Sequence, residues 1–138
     1  GDLEEEMQAE CARIGAPLAV KGDVIDQAMF ESSIRQVMSY YMGYVRNEAG
    51  MDIALERLGF IATYKGRVKA SNMHELMMVH EAEHLLSSCV LSTLCTRERR
   101  ESGRSVYRRS DYPEKSDAYN GKILAVIKKD GQPSTFWL

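Results

Sequence analysis

A helical apolar stripe from about Asn72 to about Arg99, broken off by an arginine-rich segment, constrains this chain more than any other feature. Val79, Ala82, Leu86, Cys89, Val90 and Thr93 recur at helical spacing. Met78 and Leu85 widen the stripe on one side, and Leu76 and Leu94 on the other. A face that wide has to be buried against other helices. The stretch after it, Arg99 to Pro113, reads Arg-Arg-Glu-Ser-Gly-Arg-Ser-Val-Tyr-Arg-Arg-Ser-Asp-Tyr-Pro. Pro113 fixes its own φ and biases Tyr112 away from the helical region, so this arm should end extended.

Partners for the long helix are easy to find upstream. Ile34, Val37, Met38, Tyr41 and Val45 form a second stripe, which should end near Asn47 to Gly50. Ala54, Leu55, Leu58 and Ile61 or Ala62 form a third, beginning near Met51. Gly66, among Lys65, Arg67 and Lys69, marks a turn. Leu3, Met7, Cys11 and Ile14 make an N-terminal stripe that Gly15 and Pro17 should stop, leaving Ala16 to Gly22 as a linker. Asp23 or Asp26 is placed to cap the next helix. At the other end Ile123 to Ile127 is β-prone, Asp130-Gly131 is a hairpin turn, and Thr135 to Leu138 can return.

The expected fold is therefore mainly α. A three-helix antiparallel bundle, spectrin-repeat-like, spans about residues 24–47, 51–64 and 72–99. An extra N-terminal helix precedes it, and an irregular arm and a C-terminal β-hairpin follow. The corresponding divisions are 1–22 for helix and linker, 23–100 for the bundle, and 101–138 for arm and hairpin.

Composition narrows the function. The length of 138 residues suits one core, and a net charge of −2 argues against a dedicated nucleic-acid binder. No apolar run is long enough to span a bilayer. The acidic start, Gly1-Asp2-Leu3-Glu4-Glu5-Glu6, is unlike a secretory or transit peptide, so a cytoplasmic setting is expected. Cys11, Cys89 and Cys95 form no Cys-x-x-Cys pair and read as reduced thiols, with Cys89 packed as a small hydrophobe.

Two constellations carry chemistry. His80-Glu81-Ala82-Glu83-His84 satisfies His-Glu-x-x-His, a zinc hydrolase pattern in which Glu81 would be the general base. Where the extended form wants a glycine and a third histidine, the chain has Ser87 and Val90. A third ligand would have to come from Glu101, Glu75 or His74. On a helical wheel His80 and His84 fall about 100° and 140° from Val79, off the apolar stripe and towards solvent or a partner. The second constellation is the arginine cluster Arg97, Arg99, Arg100, Arg104, Arg108 and Arg109. Interleaved Glu98, Glu101 and Asp111 would repel phosphate. A protein interface in which guanidinium groups pair with carboxylates and carbonyls suits Arg99 and Arg109 better, the others being solvated. Arg46 and Glu48 read as a local cap and ion pair.

Arg99, Glu101 and Ser102, then Arg109, Asp111, Tyr112 and Pro113, resemble the closing Arg-x-Glu-Ser-Arg-Gly and Arg-x-Asp-Tyr-Pro segments of the fumarate reductase/succinate dehydrogenase flavoprotein family. That family includes L-aspartate oxidase and adenylylsulfate reductase alpha-like proteins. Met38, Gly43, Arg46, Glu48 and Gly50 stand in the order of the family's apolar-Met helix and Gly-x-x-Arg-x-Glu-x-Gly run, and Ala82-Glu83 matches a pair in its long helix. The resemblance covers about residues 31 to 117. It departs at Gly103-Arg104, where the family has Arg-Gly, and at Tyr107, where it often has a histidine.

The resemblance implies a C-terminal structural domain of a flavoprotein subunit whose full-length parent uses FAD on a small dicarboxylate or related acid. Partners implied are the flavin and capping domains of the same chain and an iron–sulfur subunit, without nucleic acid or direct membrane insertion. The chain shows no Gly-x-Gly-x-x-Gly after a strand, so no pyrophosphate cradle is visible, and the resemblance implies that the catalytic and flavin-binding residues lie in preceding domains, with no catalytic, cofactor or metal residue expected here. The expected interdomain interface is Arg99, Glu101, Ser102, Arg109, Asp111 and Tyr112. The zinc hydrolase and a free-standing protein-interaction module are the rival readings.

Overall fold

A computed structural model of the chain describes all 138 residues. Each bundle helix opens on a side-chain cap that satisfies otherwise orphaned amides. For α2, Gln27–Tyr41, the Asp26 carboxylate accepts from the Ala28 and Met29 amides. For α3, Glu48–Ala62, the Asn47 side chain accepts from the Gly50 amide. For α4, Met73–Glu98, Asn72 accepts from the Glu75 amide while the Glu75 carboxylate accepts from the Ser71 amide. The N-terminal helix α1, Asp2–Ala19, has no such cap.

Contacts between helix ends fix the bundle's directions. Ile25, just ahead of α2, bridges Val68, just after α3, so these two helices run antiparallel. Arg97 at the end of α4 pairs with Asp52 at the start of α3, so that pair is antiparallel too. Phe30, Ile34 and Val37 from α2, Ala54 and Leu58 from α3, and Leu76, Val79, Ala82, Leu86 and Cys89 from α4 close one core, with Val68 and Ala70 from the connector. Met51 and Thr93 are also buried. The spectrin-like arrangement thus follows from three stripes that each find the other two.

The boundaries differ from expectation in two places. α1 does not stop at Gly15 or Pro17 but continues to Ala19, so most of the expected linker is helical. Pro17 lacks an amide for the helix ladder. Its carbonyl accepts from the Ala70 amide instead, and it is the one buried residue of α1. α2 ends at Tyr41, short of Asn47, because the chain turns at Gly43 into a two-residue strand β1, Val45–Arg46. That strand pairs in parallel with β2, Arg108–Arg109, so Val45 lies opposite Arg108 and Arg46 opposite Arg109.

The hairpin forms as expected but is longer. β3, Leu124–Lys129, and β4, Gln132–Trp137, are joined by Asp130 and Gly131, both at positive φ (51° and 79°) as a two-residue primed turn needs. The hairpin leans on α4, and Tyr119 stacks on Trp137 at a centroid distance of 4.8 Å. No helix is long and apolar enough to cross a membrane.

Candidate functional site

The arm lies over one end of the bundle, where α4 finishes and α3 begins, and Arg109 is its pivot. Arg109 is 0% exposed. Its Nη1 donates to the carbonyls of Thr96 (2.8 Å), Arg97 (3.1 Å) and Arg99 (3.3 Å), which the end of α4 leaves without helical partners. A cation there also complements the negative end of the helix dipole. Nε and Nη2 form a two-point bridge to Asp111 at 2.8 and 2.7 Å. The second Asp111 oxygen accepts from the Glu48 amide, the first of α3, at 2.9 Å. One Arg–Asp pair therefore neutralises the C-terminus of α4 and the N-terminus of α3. The Tyr112 ring covers the guanidinium at 5.0 Å.

This geometry sets the ionisation of the pair. Hydrogen bonding to Arg109 holds the Asp111 carboxyl down at about 2, against burial, and the Glu48 amide helps. The Asp111 carboxylate in turn raises Arg109 above its usual value against the opposing pull of burial.

Two further groups fix the arm. The Ser102 hydroxyl donates to the Tyr112 carbonyl at 2.7 Å and accepts from the Arg109 amide at 2.8 Å, closing the loop between the two motif halves. Glu101 is 2% exposed. One of its oxygens takes Arg99 Nε at 2.8 Å, and the other takes Arg104 Nε at 2.9 Å and the Ser116 amide at 3.0 Å. Burial alone would push this carboxyl up, but the Ser116 amide and the two arginines outweigh it, and the net shift is downward. The Arg99 guanidinium also faces the Tyr119 and Trp137 rings at 5.8 and 5.7 Å, which ties the hairpin to the arm.

The six residues expected at an interface thus come together, and the partners of Glu101, Ser102 and Arg109 lie within this chain. Of the six, Tyr112 is the exposed large side chain. Arg46 and Glu48 are not the local pair expected from sequence. Arg46 donates to the Gly43 carbonyl at 2.7 Å and to the Thr96 hydroxyl at 3.3 Å, and lies over the Tyr107 ring at 4.3 Å. Glu48 pairs with Arg100 at 3.2 Å. The Gly43-x-x-Arg46-x-Glu48 spacing carried the signal for this joint, but its contacts to residues 96–111 are invisible to local periodicity.

The His-Glu-x-x-His helix turns another way. His80 Nε2 meets the Ile14 carbonyl at 2.8 Å and its Nδ1 lies 3.5 Å from Glu83, so it is engaged by α1 and its own helix, while His84 is exposed. No group of three or more His, Cys, Asp or Glu side chains is placed to hold a metal. The chain offers no strand–glycine loop–helix unit either: its parallel pairing is limited to the β1–β2 ladder and the Ile25–Val68 bridge. Its residues therefore do not fit the pyrophosphate of a flavin dinucleotide.

Comparison with known proteins follows the same lines. Residues 31–136 match the family described as fumarate reductase flavoprotein C-term. The chain is 30% identical over 128 residues to an uncharacterized FAD-dependent oxidoreductase of Methanocaldococcus jannaschii, covering 93% of this chain and 23% of that protein. Adenylylsulfate reductase from Archaeoglobus fulgidus superposes with a TM-score of 0.88 at 19% identity, over 97% of this chain and 24% of that one. The apo Mycobacterium smegmatis Sdh1 complex gives a TM-score of 0.83 at 20% identity, over 98% and 24% respectively. The chain spans about a quarter of the length of these relatives.

Proposed function

The chain belongs to the fumarate reductase flavoprotein C-terminal family, and from that premise we propose that it is a helical domain that packs on the FAD-bearing part of a longer oxidoreductase. The parent acts on a small dicarboxylate or related acid, and this domain supplies shape rather than chemistry. The zinc hydrolase reading finds no support in the family or in the arrangement of His80 and His84.

The observation that carries the proposal is convergence. The two stretches that resemble the family, around Gly43–Gly50 and Arg99–Pro113, are remote in sequence yet join at one end of the bundle. Within that joint Arg99, Glu101, Ser102, Arg109, Asp111 and Tyr112 serve the interdomain interface by holding the arm in shape, with Asp111 and Tyr112 exposed. The division into residues 1–22, 23–100 and 101–138 separates the N-terminal helix, the bundle and the arm with its hairpin. The flavin and capping domains of the same chain are the partners, with an iron–sulfur subunit beyond them. A cytoplasmic position, on the face of a membrane where partner subunits anchor it, agrees with the lack of any membrane-spanning helix.

The test is a pair of purifications. The 138-residue chain should be colourless and show no dehydrogenase turnover with artificial electron acceptors. The full-length protein should carry FAD and turn over. Flavin bound stoichiometrically by the short chain, or a full-length protein without flavin, overturns the proposal.

A further inference from the structure

We propose that the cleft between α4 and the hairpin binds a medium-chain aliphatic carboxylate. Its tail lies on Leu86, Val90, Leu91, Val126 and Pro133, and its head meets Lys65 and Lys128. The site is separate from the helix-end joint and does not rest on the domain-packing reading above.

Strand register defines the cleft. Directly opposed residues of an antiparallel pair share a face, as do alternate residues along each strand. Leu124 pairs with Trp137, Val126 with Thr135 and Lys128 with Pro133, so these six side chains share one face of the hairpin. Trp137 stacks on Tyr119 and lies by Arg99 at the end of α4, so this face turns to the bundle. Between it and α4 is a cavity of about 380 Å³ that reaches Gly131 at the hairpin tip. Val126, Lys128 and Pro133 line one wall, and Leu86, Val90 and Leu91 line the other. Lys65, in the turn after α3, closes the edge. That volume is near the small end of ligand pockets. The α4 wall from Leu86 to Leu91 is about 7.5 Å long, five residues at the helical rise, which suits a short tail.

Charge selects the occupant. A lysine on the bundle-facing side of the hairpin breaks the pattern that Leu124 and Val126 set on the same face. Lys65 is half-buried beside it. Every ion pair of the chain uses an arginine or a histidine, so neither lysine has a carboxylate partner. No Asp or Glu lines the cleft. Glu83, which borders a neighbouring hollow together with Lys65, faces His80 at 3.5 Å. Two ammonium groups thus border one apolar cleft without a counter-ion. A carboxylate has two oxygens to offer them, whereas an alcohol brings no charge and an amine adds a third cation. The walls carry no aromatic ring on which a planar ligand could stack, so the tail is aliphatic.

Titration of the 138-residue chain with octanoate, followed by amide NMR, tests this. Amides of 86–91 and 126–132 should shift together and saturate, with a dissociation constant of about 1 mM or tighter. Hexanoate should bind roughly tenfold more weakly, since each methylene the cleft buries is worth about a factor of four. Octanol should shift the same amides but bind about fivefold more weakly, the scale of an exposed ion pair, and octylamine more weakly still. Replacing both lysines, Lys65→Met with Lys128→Met, should bring octanoate down to the level of octanol and leave octanol unchanged. Unaltered amide positions in α2 report that this variant is folded. Absence of a saturable shift confined to the cleft overturns the site. Equal binding of octanoate and octanol by the unmodified chain, or octanoate binding that survives loss of both lysines, overturns the recognition of a carboxylate.

Discussion

The arm and α1 invert the usual expectation about what a fold buries. The arm is irregular, dense in charge and poor in apolar residues, yet it contains Arg109 at 0% and Glu101 at 2% exposure. Helix α1 is regular and apolar-striped, yet Leu3 and Met7 remain 71% and 61% exposed and Pro17 alone is buried. Regular structure and burial are separate outcomes. The arm is held because each charge it buries finds a partner of opposite sign or an orphaned helix-end group. The exposed stripe of α1 lacks a facing surface in this chain, and a helix draws most of its stability from packing such a face.

The largest expected effect comes from breaking the arm's pivot. Arg109→Ala removes the cap from the α4 carbonyls and leaves Asp111 without its counter-ion. Breaking a fully buried pair costs about 3–5 kcal/mol, and because the Asp111 side chain is 27% exposed the loss here should lie at or below the low end of that range. Urea unfolding of the 138-residue chain should show this as a large drop in midpoint, and Arg109→Lys should recover only part, since an ammonium cannot make the two-point bridge while reaching three carbonyls. A loss below about 1 kcal/mol would mean that the arm is held by its loop contacts and that charge burial is not what distinguishes it from α1.

The pH dependence of the same pair gives a second, smaller effect. Asp111 falls from an ordinary 3.8 to about 2 in the folded protein. A depressed carboxyl contributes stability that is complete above the unfolded value and is lost as pH falls through the folded one. The window is therefore between about pH 4 and pH 2, and Glu101, also held low, acts in the same direction. Urea midpoints measured at pH 7 and pH 3 should fall less for Asp111→Asn than for the wild type. An unchanged fall in the variant places the acid sensitivity outside the helix-end clip.

The comparison also shows what a sequence makes legible. The bundle could be read because Ile34, Val37, Leu58, Val79, Ala82 and Leu86 repeat at a local period that burial rewards, and the structure buries each of them. The hairpin could be read because Asp130-Gly131 has one favoured geometry. The end of α2 could not, because the β1–β2 ladder joins residues 45–46 to 108–109 and depends on a contact that no local window contains. Continuation of α1 past Pro17 escaped for a similar reason, since the Ala70 amide that engages it lies 53 positions away (70 minus 17). For the arm, residue types announced pairing between guanidinium and carboxylate, but not that Glu101, Ser102 and Arg109 would find their partners inside the chain.

The smallest expected effect belongs to α1 and decides whether its stripe matters to this domain at all. Leu3→Ser and Met7→Ser remove apolar side chains that already face water, so almost no burial is lost. Surface changes of this kind stay within about 0.5 kcal/mol. Thermal or urea unfolding of the 138-residue chain should therefore barely move, although the same substitutions at Leu58 or Leu86 would be severe, since both are buried in the core. A loss of 2 kcal/mol or more for Leu3→Ser would show that the stripe packs against something in solution, a second copy included, and the contrast between α1 and the arm would then be one of partners rather than of burial.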